Sequence, residues 1–360
     1  MHELAAERPQ QVLDFVERML SWVRGKGKVL IIIHDNPDPD CLASAMALRH
    51  LFVMALNKDA TISFSGMIGR SENLTMAKEL EITLTPLPIV NLDDYQVICM
   101  LDTQPGTGNN ALPPERKVDI LIDHHPMRET SRNCRFVDIN EEYGATATMV
   151  YEYLQSQKIS IGIKLATALF YAIKSETQDL GREANRPDRD AYLKLFPLTN
   201  KRLLYEIAYP KLPPDYFLTL SHAIENSKIY RNLVVASLGE VSFPEVVAEM
   251  CDLLLRLEGI EVALCYGYYG QEMILSIRTT REDLNAGEVI KRLVAGHGLA
   301  GGHGMMAGGK IDNVVTADAK RELAELLTER LLLELGLSGV SAAKLRPHDP
   351  LVDRDDKARL

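Results

Sequence analysis

The stretch that decides the fold is VLIIIHDNPDPD, residues 29–40. It begins as a short β-branched run with little alternation, which is typical of a strand buried on both faces. It ends in a histidine and aspartates that follow this strand directly. The same order recurs in VICMLD, residues 97–102, and in ILIDHH, residues 120–125. The chain therefore places acidic and imidazole side chains after three separate buried strands.

Helical patterns separate these strands. Apolar residues over 12–23 follow one helix face, and similar patterns cover 41–55 and 71–80. Further helices are expected over 145–156 and 163–174. Strands that alternate with helices indicate a parallel sheet, and ligands of such sheets gather beyond the carboxyl ends of the strands. We therefore expect an α/β N-terminal domain with a ligand site at that edge.

A second, smaller α/β domain is expected in the C-terminal part of the chain. Short apolar runs at 233–237, 262–266 and 273–277 are accompanied by helical patterns. Prolines at 210, 213 and 214 favour a domain boundary near them. The predicted organisation is an N-terminal domain with the ligand site over 1–212, a connecting helix or linker over 213–230, a second domain over 231–336 and a loosely ordered tail over 337–360.

Composition restricts the function classes. The 360 residues are 46% apolar and 25% charged, with a formal net charge of −10. This charge argues against binding long nucleic acid through a basic surface, whereas a small phosphorylated substrate held by a few local cations is compatible with it. The five cysteines form no close pair, which predicts reduced thiols. The N-terminus lacks the order of a signal peptide, and no apolar run approaches the roughly 20 residues of a membrane span, so a cytoplasmic protein is expected.

The aspartates of the first stretch have two readings. Asp38 and Asp40 suit a turn or the cap of the helix that begins near Cys41, but they also suit a metal site on a backbone stiffened by two prolines. Recurrence after two other strands favours metal, because several buried carboxylates at one edge are costly unless a cation neutralises them. The donors are oxygen and imidazole with no thiolate, which favours manganese or magnesium over structural zinc. They exceed what one ion requires, so a pair of ions is predicted.

HDNPDPD, LDTQP and DHHP, in this order, resemble motifs one to three of the DHH phosphoesterase superfamily. The resemblance implies a parallel-sheet catalytic domain with two Mn2+ ions, for which Mg2+ or Co2+ are alternatives. It also implies that Asp123 orients the site and that His125 faces the substrate phosphate. The implied ligands are His34, Asp38 and Asp102 for one ion, and Asp40, the bridging Asp102 and His124 for the other.

The fourth motif of that superfamily supplies a further aspartate to the second ion. The matching stretch is AIKSETQDLGR, in which the expected carboxylate falls on Glu176. Glutamate keeps the oxygen donor but adds a methylene, so Asp179 is an alternative ligand. The competing reading makes Glu176 a solvated residue at a helix end.

Near the end of the second domain, AGHGLAGGHGMMAGGKI is dense in glycine. Such glycines allow backbone amides to form a concave nest for an anion, although flexible turns look similar. The segment resembles the GGGH-type signature of the DHH-associated domain, which implies substrate contacts from Gly301, Gly302 and His303. The same resemblance assigns Arg278 to a terminal phosphate, and the competing reading is an edge-strand arginine in water.

The resemblance implies a hydrolase like the family's bifunctional oligoribonucleases (nanoRNases) and adenosine 3′,5′-bisphosphate (pAp) phosphatases. Expected partners are short RNA oligonucleotides or small nucleotide phosphates. A phosphodiesterase for cyclic or linear dinucleotides uses the same site and stays open. A nucleotide-binding regulator with an impaired metal site is the alternative that Glu176 motivates. A homodimer is an open alternative for the oligomeric state.

Overall fold

The computed structural model describes residues 4–181 and 184–345. The chain divides into two compact units, Met1–Lys211 and Leu212–Leu360. The part of the predicted tail from residue 346 onward lies outside the described residues.

The first unit contains a six-stranded sheet in which every pair of neighbouring strands is parallel. The strand order is β3-β2-β1-β4-β5-β6. This confirms the predicted α/β class with an N-terminal parallel sheet. The strands are β1 (Lys28–Ile33), β2 (Ala60–Phe64), β3 (Leu84–Pro86), β4 (Tyr95–Leu101), β5 (Ile120–Asp123) and β6 (Phe136–Ile139).

Helices cover this sheet, and α2 lies at the centre of the main core. It is apolar nearly all round because it packs against both α4 and α5. Among the described helices, only α2 is long and apolar enough to cross a membrane, and most of it is buried in the unit, as in a core helix. The helices are α1 (Leu4–Arg24), α2 (Pro39–Leu56), α3 (Ser71–Glu79), α4 (Thr146–Ser156), α5 (Ile163–Glu176), α6 (Arg186–Leu195) and α7 (Lys201–Ala208).

The strand order reverses direction between β1 and β4. From β1 the chain continues outward to β2 and β3 on one side, and from β4 it continues to β5 and β6 on the other. Such a switch point opens a crevice beyond the carboxyl ends of the strands. His34 follows β1, Asp102 follows β4 and His124 follows β5, so all three lie at this edge.

The second unit contains a seven-stranded mixed sheet of order β11-β12-β10-β9-β8-β7-β13. Only β8 and β9 pair in parallel among its described strands. Its helices are α8 (Pro214–Glu225), α9 (Val246–Leu254), α10 (Ala286–Val294) and α11 (Ala317–Glu334). Its strands are β7 (Ser227–Tyr230), β8 (Leu233–Glu240), β9 (Val262–Tyr269), β10 (Glu272–Thr279), β11 (Leu299–His303), β12 (Met306–Ile311) and β13 (Ala343–Lys344).

The segment predicted as a connecting helix over 213–230 is more than a linker. Its helix ends at Glu225, and residues 227–230 form β7 inside the second sheet. Part of the predicted tail also joins this sheet, because β13 pairs with β7.

The glycine-rich segment over 295–311 is mostly β-structure and not a long loop, while its anion-binding role stays a prediction. The segment forms an antiparallel hairpin of β11 and β12, in which Gly301 lies opposite Gly308. Gly302 has a φ of +139°, and a Cβ atom there would lie 2.5 Å from Cα of Ala307. Glycine at this position permits a close approach of two strands.

Candidate metal centre

His34 and Asp38 connect the end of β1 to the start of α2. Asp38 caps the helix, since its Oδ1 accepts hydrogen bonds from the amides of Asp40 and Cys41, both at 3.0 Å. The same oxygen lies 3.4 Å from Nε2 of His34. Asp38 can therefore cap the helix and contact His34 at the same time. Nδ1 of His34 donates to the carbonyl of Asp35 at 2.8 Å. Burial opposes protonation of His34, but Cys41 and Asp38 outweigh it and raise the pKa of the ring well above its usual value. In the metal-free protein Nε2 therefore carries a proton, which a metal ion would have to displace.

Asp102 lies between two imidazoles. Its Oδ2 is 3.7 Å from Nε2 of His34, and its Oδ1 is 3.6 Å from Nε2 of His124. The side chain is buried, and its backbone has a φ of 57°, which a non-glycine residue rarely adopts. Its amide donates to the carbonyl of Ile122 on the neighbouring strand at 3.1 Å. The strained turn after β4 thus aims one carboxylate at both histidines.

Nε2 of His124 is a buried nitrogen without a hydrogen-bond partner among the described residues. Nδ1 of the same ring donates to the carbonyl of Tyr143 at 3.1 Å, which fixes the ring. Nε2 faces Asp102 and lies 4.0 Å from Oδ2 of Asp40. A buried imidazole nitrogen that faces two carboxylates is the geometry that a metal ion would complete.

The N-terminus of α4 holds Asp40. The amides of Thr146 and Ala147 donate to its two oxygens at 2.7 and 2.8 Å. The hydroxyl of Thr146 donates to Oδ1 of Asp102 at 3.0 Å. The sequence analysis missed Thr146, although its position at the start of a helical pattern is a signal for anion binding by helix amides.

Asp123, His125 and Gln104 form a chain of hydrogen bonds. Nδ1 of His125 lies 2.9 Å from Oδ1 of Asp123, and Nε2 of Gln104 donates to the other carboxylate oxygen at 2.7 Å. Burial opposes protonation of His125, but the bond to Asp123 and the charge of Asp102 outweigh it and raise its pKa to about 9. The predicted orienting role of Asp123 therefore acts on a cationic His125. Gln104, in the quoted LDTQP motif, was missed.

The carboxylates at this edge carry more negative charge than the protein alone offsets. Burial, reinforced by the charge of Asp102, raises the pKa of Asp40 well above its usual range. Burial, reinforced by Asp38, also raises the pKa of Asp102. Burial also acts to raise the pKa of Asp38, but the neighbouring His34 outweighs burial and holds this pKa far below its usual value. Divalent cations would relieve this repulsion, so the residues present fit such ions.

Glu176, and not Asp179, lies in the field of this cluster. Burial, together with the charges of Asp38 and Asp102, raises the pKa of Glu176 to about 7. Asp179 instead receives a hydrogen bond from Tyr192 at 3.0 Å and pairs with Lys174 at 2.7 Å on the surface. Glu176 is the last residue of α5 and is partly buried, so it is not fully solvated, and its role as a ligand stays a prediction.

The sequence analysis named no sulfur donor, but one lies at the site. Burial raises the pKa of the Cys41 thiol well above its usual range, so it is a thiol and not a thiolate in the metal-free protein. Sγ of Cys41 lies within 4.8 Å of ligand atoms of both His34 and Asp38. The residue is fully buried in the first turn of α2. The sequence analysis treated Cys41 only as the start of a helix. A second group of donors, equally close to one another, is formed by Asp102, His124 and His125.

Asp188 is a buried carboxylate behind the centre that the sequence analysis missed. Its Oδ2 accepts hydrogen bonds from the amides of Gly144 at 2.8 Å and Asn185 at 3.0 Å. It thereby holds the segment whose carbonyl at Tyr143 and amide at Thr146 contact the centre.

In the second unit, Arg278 is buried in β10, between β9 and β12. The competing reading of Arg278 as an edge-strand arginine in water is therefore wrong. Its Nε donates to Oδ1 of Asp252 at 2.5 Å, and Nη1 donates to Oγ of Ser276 at 2.7 Å. The predicted phosphate contact of Arg278 has to compete with these bonds. Backbone positions of Gly301, Gly302 and His303 lie in the neighbouring hairpin, and their substrate contacts stay predictions.

Comparison with known protein families matches residues 28–173 to the N-terminal domain of the DHH family and residues 231–332 to the DHHA1 domain. The uncharacterized protein MJ1633 of Methanocaldococcus jannaschii is 34% identical over 317 residues, which are 86% of this chain and 64% of that protein. A manganese-dependent inorganic pyrophosphatase of Methanothrix thermoacetophila is 25% identical over 151 residues, which are 41% of this chain and 47% of that enzyme.

Among solved structures, the crystal structure of an exopolyphosphatase-related protein from Bacteroides fragilis aligns with a TM-score of 0.69 at 17% identity. The alignment covers 89% of this chain and 98% of that chain. At this identity the likeness shows a shared fold. The chain spans less than two thirds of the length of both curated relatives above, since the shares are 64% and 47%.

Proposed function

Since the chain contains the N-terminal domain of the DHH family followed by a DHHA1 domain, we propose that it is a metal-dependent phosphoesterase. Its proposed substrates are short oligoribonucleotides or small nucleotide phosphates such as adenosine 3′,5′-bisphosphate. One observation carries the proposal: the two oxygens of Asp102 face Nε2 of His34 and Nε2 of His124 at 3.7 and 3.6 Å. This is the arrangement that a carboxylate bridging two ions requires.

The donor set favours Mn2+ or Mg2+, because carboxylates and imidazoles are the groups that these ions accept. The name of the manganese-dependent pyrophosphatase among the relatives supports Mn2+. We propose His34, Asp38 and Asp102 as ligands of one ion, and Asp40, Asp102, His124 and Glu176 as ligands of the other. A bound pair of such ions supplies a nucleophilic hydroxide near neutral pH and neutralises charge on phosphoryl oxygens.

The protein's own side chains then orient the substrate. His125 is cationic at neutral pH because Asp123 and Asp102 raise its pKa to about 9. A cationic imidazole donates a strong hydrogen bond to a phosphoryl oxygen, and its charge favours the added negative charge of the transition state. Gln104 and Asp123 hold the ring in place, so their role is positional.

The overall charge supports a short substrate. A net charge of −10 repels long polyanions, whereas a nucleotide of a few residues needs only local cations. We place Arg278 and the Gly301, Gly302 and His303 hairpin on the substrate side because of the resemblance to the DHH-associated domain. Release of Arg278 from Asp252 would free its guanidinium for a terminal phosphate.

A substrate panel tests the proposal. The purified full chain with Mn2+ is incubated with adenosine 3′,5′-bisphosphate, short RNA, linear and cyclic dinucleotides, polyphosphate and pyrophosphate. We expect hydrolysis of at least one nucleotide substrate, and loss of at least about 100-fold in kcat for Asp102→Asn, because it removes the charge of the one carboxylate that would contact both ions. Asp119→Asn, an acidic residue directly before β5 and outside the metal centre, is the control.

The outcomes separate the alternatives. Preferred turnover of cyclic or linear dinucleotides would favour the dinucleotide phosphodiesterase. Nucleotide binding without turnover in any divalent metal would favour the regulator and overturn the proposal. Turnover of pyrophosphate or polyphosphate alone would also contradict the nucleotide assignment.

A further inference from the structure

The second unit contains a cavity that the proposed function does not use. It lies between one face of the sheet and helix α11, and its volume is about 390 Å³. This size is in the range of small-molecule sites. Its lining includes neither Arg278 nor the glycine hairpin. The sheet contributes three tyrosines, at positions 230, 266 and 268.

The cavity exists because α11 packs incompletely on the sheet. Of its 18 residues, only Leu327 and Leu331 are buried. Near its start the helix is attached to β9 by the hydroxyl of Tyr268, which donates to the carbonyl of Lys320 at 3.2 Å. The space between these two attachments is open to solvent on one side and is not filled by side chains.

The sheet side of the cavity suits a flat aromatic ring. Tyr266 and Tyr268 lie two residues apart on β9 and therefore on the same face, with ring centroids 6.3 Å apart and planes at 73°. Tyr230 lines the same cavity from β7. Tyrosines bind ring systems through stacking and edge contacts, so they favour a nucleobase over an aliphatic ligand.

The helix side offers charges of both signs in a fixed order. Arg321, Glu325 and Glu329 line the cavity and recur every four residues, so they lie on one stripe of α11. Arg321 and Glu329 are separated by about 12 Å along the helix axis at 1.5 Å per residue. Lys228 adds a second cation from the sheet.

Lys320 also lines the cavity, but its ammonium pairs with Glu240 at 2.5 Å and lies 4.5 Å from the centroid of the Tyr268 ring. Arg321 pairs with Asp318 at 2.7 Å on the surface, and a phosphate would have to replace this partner.

We propose that this cavity is a second ligand site, which binds a purine mononucleotide. The tyrosines hold the base, the carboxylates of Glu325 and Glu329 accept hydrogen bonds from its N–H groups, and Arg321 binds the phosphate. The separation of the cation from the second carboxylate along α11 matches the length of a base, a ribose and one phosphate. All residues that line the site belong to the second unit. The proposed nucleotide binding therefore does not depend on the proposed catalytic activity.

Calorimetric titration of the full chain with GMP and AMP tests this site. EDTA is present, so that divalent ions do not contribute to binding at the catalytic edge. We expect saturable binding of one nucleotide per chain by at least one of them. Inorganic phosphate lacks the base and ribose, and guanosine lacks the phosphate. Each should bind at least about tenfold more weakly than the nucleotide, since a loss of about 1.4 kcal/mol in binding free energy is tenfold in affinity.

Two substitutions locate the binding. Ala324→Phe places a ring in the cavity and should weaken binding at least tenfold, whereas Ala317→Phe, on the exposed first turn of the same helix, should leave it within twofold. Arg321→Ala should weaken the binding of GMP more than the binding of guanosine, which has no phosphate. Thermal unfolding of each variant shows whether it is folded, and Arg321→Ala, an exposed position, keeps the test valid if Ala324→Phe does not fold.

Absence of saturable nucleotide binding would overturn the proposal. Equal affinity of the wild type, Ala324→Phe and Arg321→Ala would do so as well, since the nucleotide would then bind elsewhere. Asp102→Asn should retain the binding. Loss of binding in that variant would assign the nucleotide to the catalytic edge and remove the case for a second site.

Discussion

Oδ1 of Asp188 accepts a hydrogen bond of 2.6 Å from the hydroxyl of Thr148, which lies 40 residues earlier in the chain. Asp188 is fully buried, and its other oxygen holds the amide of Gly144. Thr146 and Ala147, whose amides bind Asp40, lie between Gly144 and Thr148 in the chain. One carboxylate outside the centre thus fixes the segment that positions a predicted ligand.

We expect Asp188→Asn to destabilise the protein by about 1–3 kcal/mol, because an amide cannot accept every hydrogen bond that the carboxylate accepts. It should also weaken Mn2+ binding by about tenfold, as loss of outer-sphere partners does elsewhere. Denaturant unfolding and calorimetry measure the two effects. Asp190→Asn, on the exposed side of the same helix, should change stability by less than about 0.5 kcal/mol. Equal behaviour of the two variants would refute the positioning role.

Metal binding should depend on pH through Glu176. Its pKa in the metal-free protein is about 7, so below that value an ion has to displace a proton. The affinity for Mn2+ should therefore rise with pH through about 7, by up to tenfold per pH unit for each proton displaced, and the raised pKa of His34 should extend this rise to higher pH. Titrations in buffers of different ionisation enthalpy count the released protons. Glu176→Gln should release fewer protons, and an unchanged count would contradict the assignment.

The stability of the metal-free protein should show the opposite trend. The pKa of Glu176 is raised from 4.5 to about 7 in the folded state, so between these values the folded state binds more protons than the unfolded one. Stability should consequently fall as pH rises through this window, by at most about 1.4 kcal/mol per pH unit for this group. Saturating Mn2+ should reverse the trend. Thermal unfolding with EDTA and with Mn2+ measures the two pH trends. A rise in the stability of the metal-free protein between pH 4.5 and about 7 would contradict the raised pKa of Glu176.

Cys41 should be detectable in the cobalt-loaded protein. Because its sulfur lies beside His34 and Asp38, we expect Co2+ to produce a sulfur-to-cobalt charge-transfer band that Cys41→Ser removes. Cys99→Ser, at a buried cysteine of β4 outside that donor group, should retain the band. If cobalt binds and no such band is seen in the wild type, Cys41 is a packing residue. If no cobalt binds at all, the proposed metal centre fails.

Gly302→Ala should destabilise the second unit by about 2 kcal/mol or more, since a Cβ atom would lie 2.5 Å from Cα of Ala307 on a backbone with φ of +139°. Gly301→Ala is the matched control, because nothing lies within 4 Å of its added Cβ. Denaturant unfolding compares the two. Equal stabilities would show that the hairpin opens enough to admit a side chain.

Local patterns predicted most of the secondary structure. The apolar runs before His34, Asp102 and Asp123 became β1, β4 and β5, because burial on both faces of a parallel sheet leaves a readable signature. The predicted helices over 41–55 and 163–174 correspond to α2 and α5. The conformation of the glycine-rich segment could not be predicted, because its composition suits a loop and a closely packed hairpin equally.

By itself, the sequence determined which side chains follow the strands, namely the histidines and aspartates of three motifs, since strand ends and periodicity are local properties. Only the tertiary structure decided which further groups join them. Asp40 meets Thr146 across 106 residues and Asp102 meets the same residue across 44, and such contacts depend on the path of the chain. The outer support by Asp188 and the bond between Arg278 and Asp252 arise for the same physical reason. Cys41 instead joins the centre through local geometry, three residues after Asp38 at the start of α2.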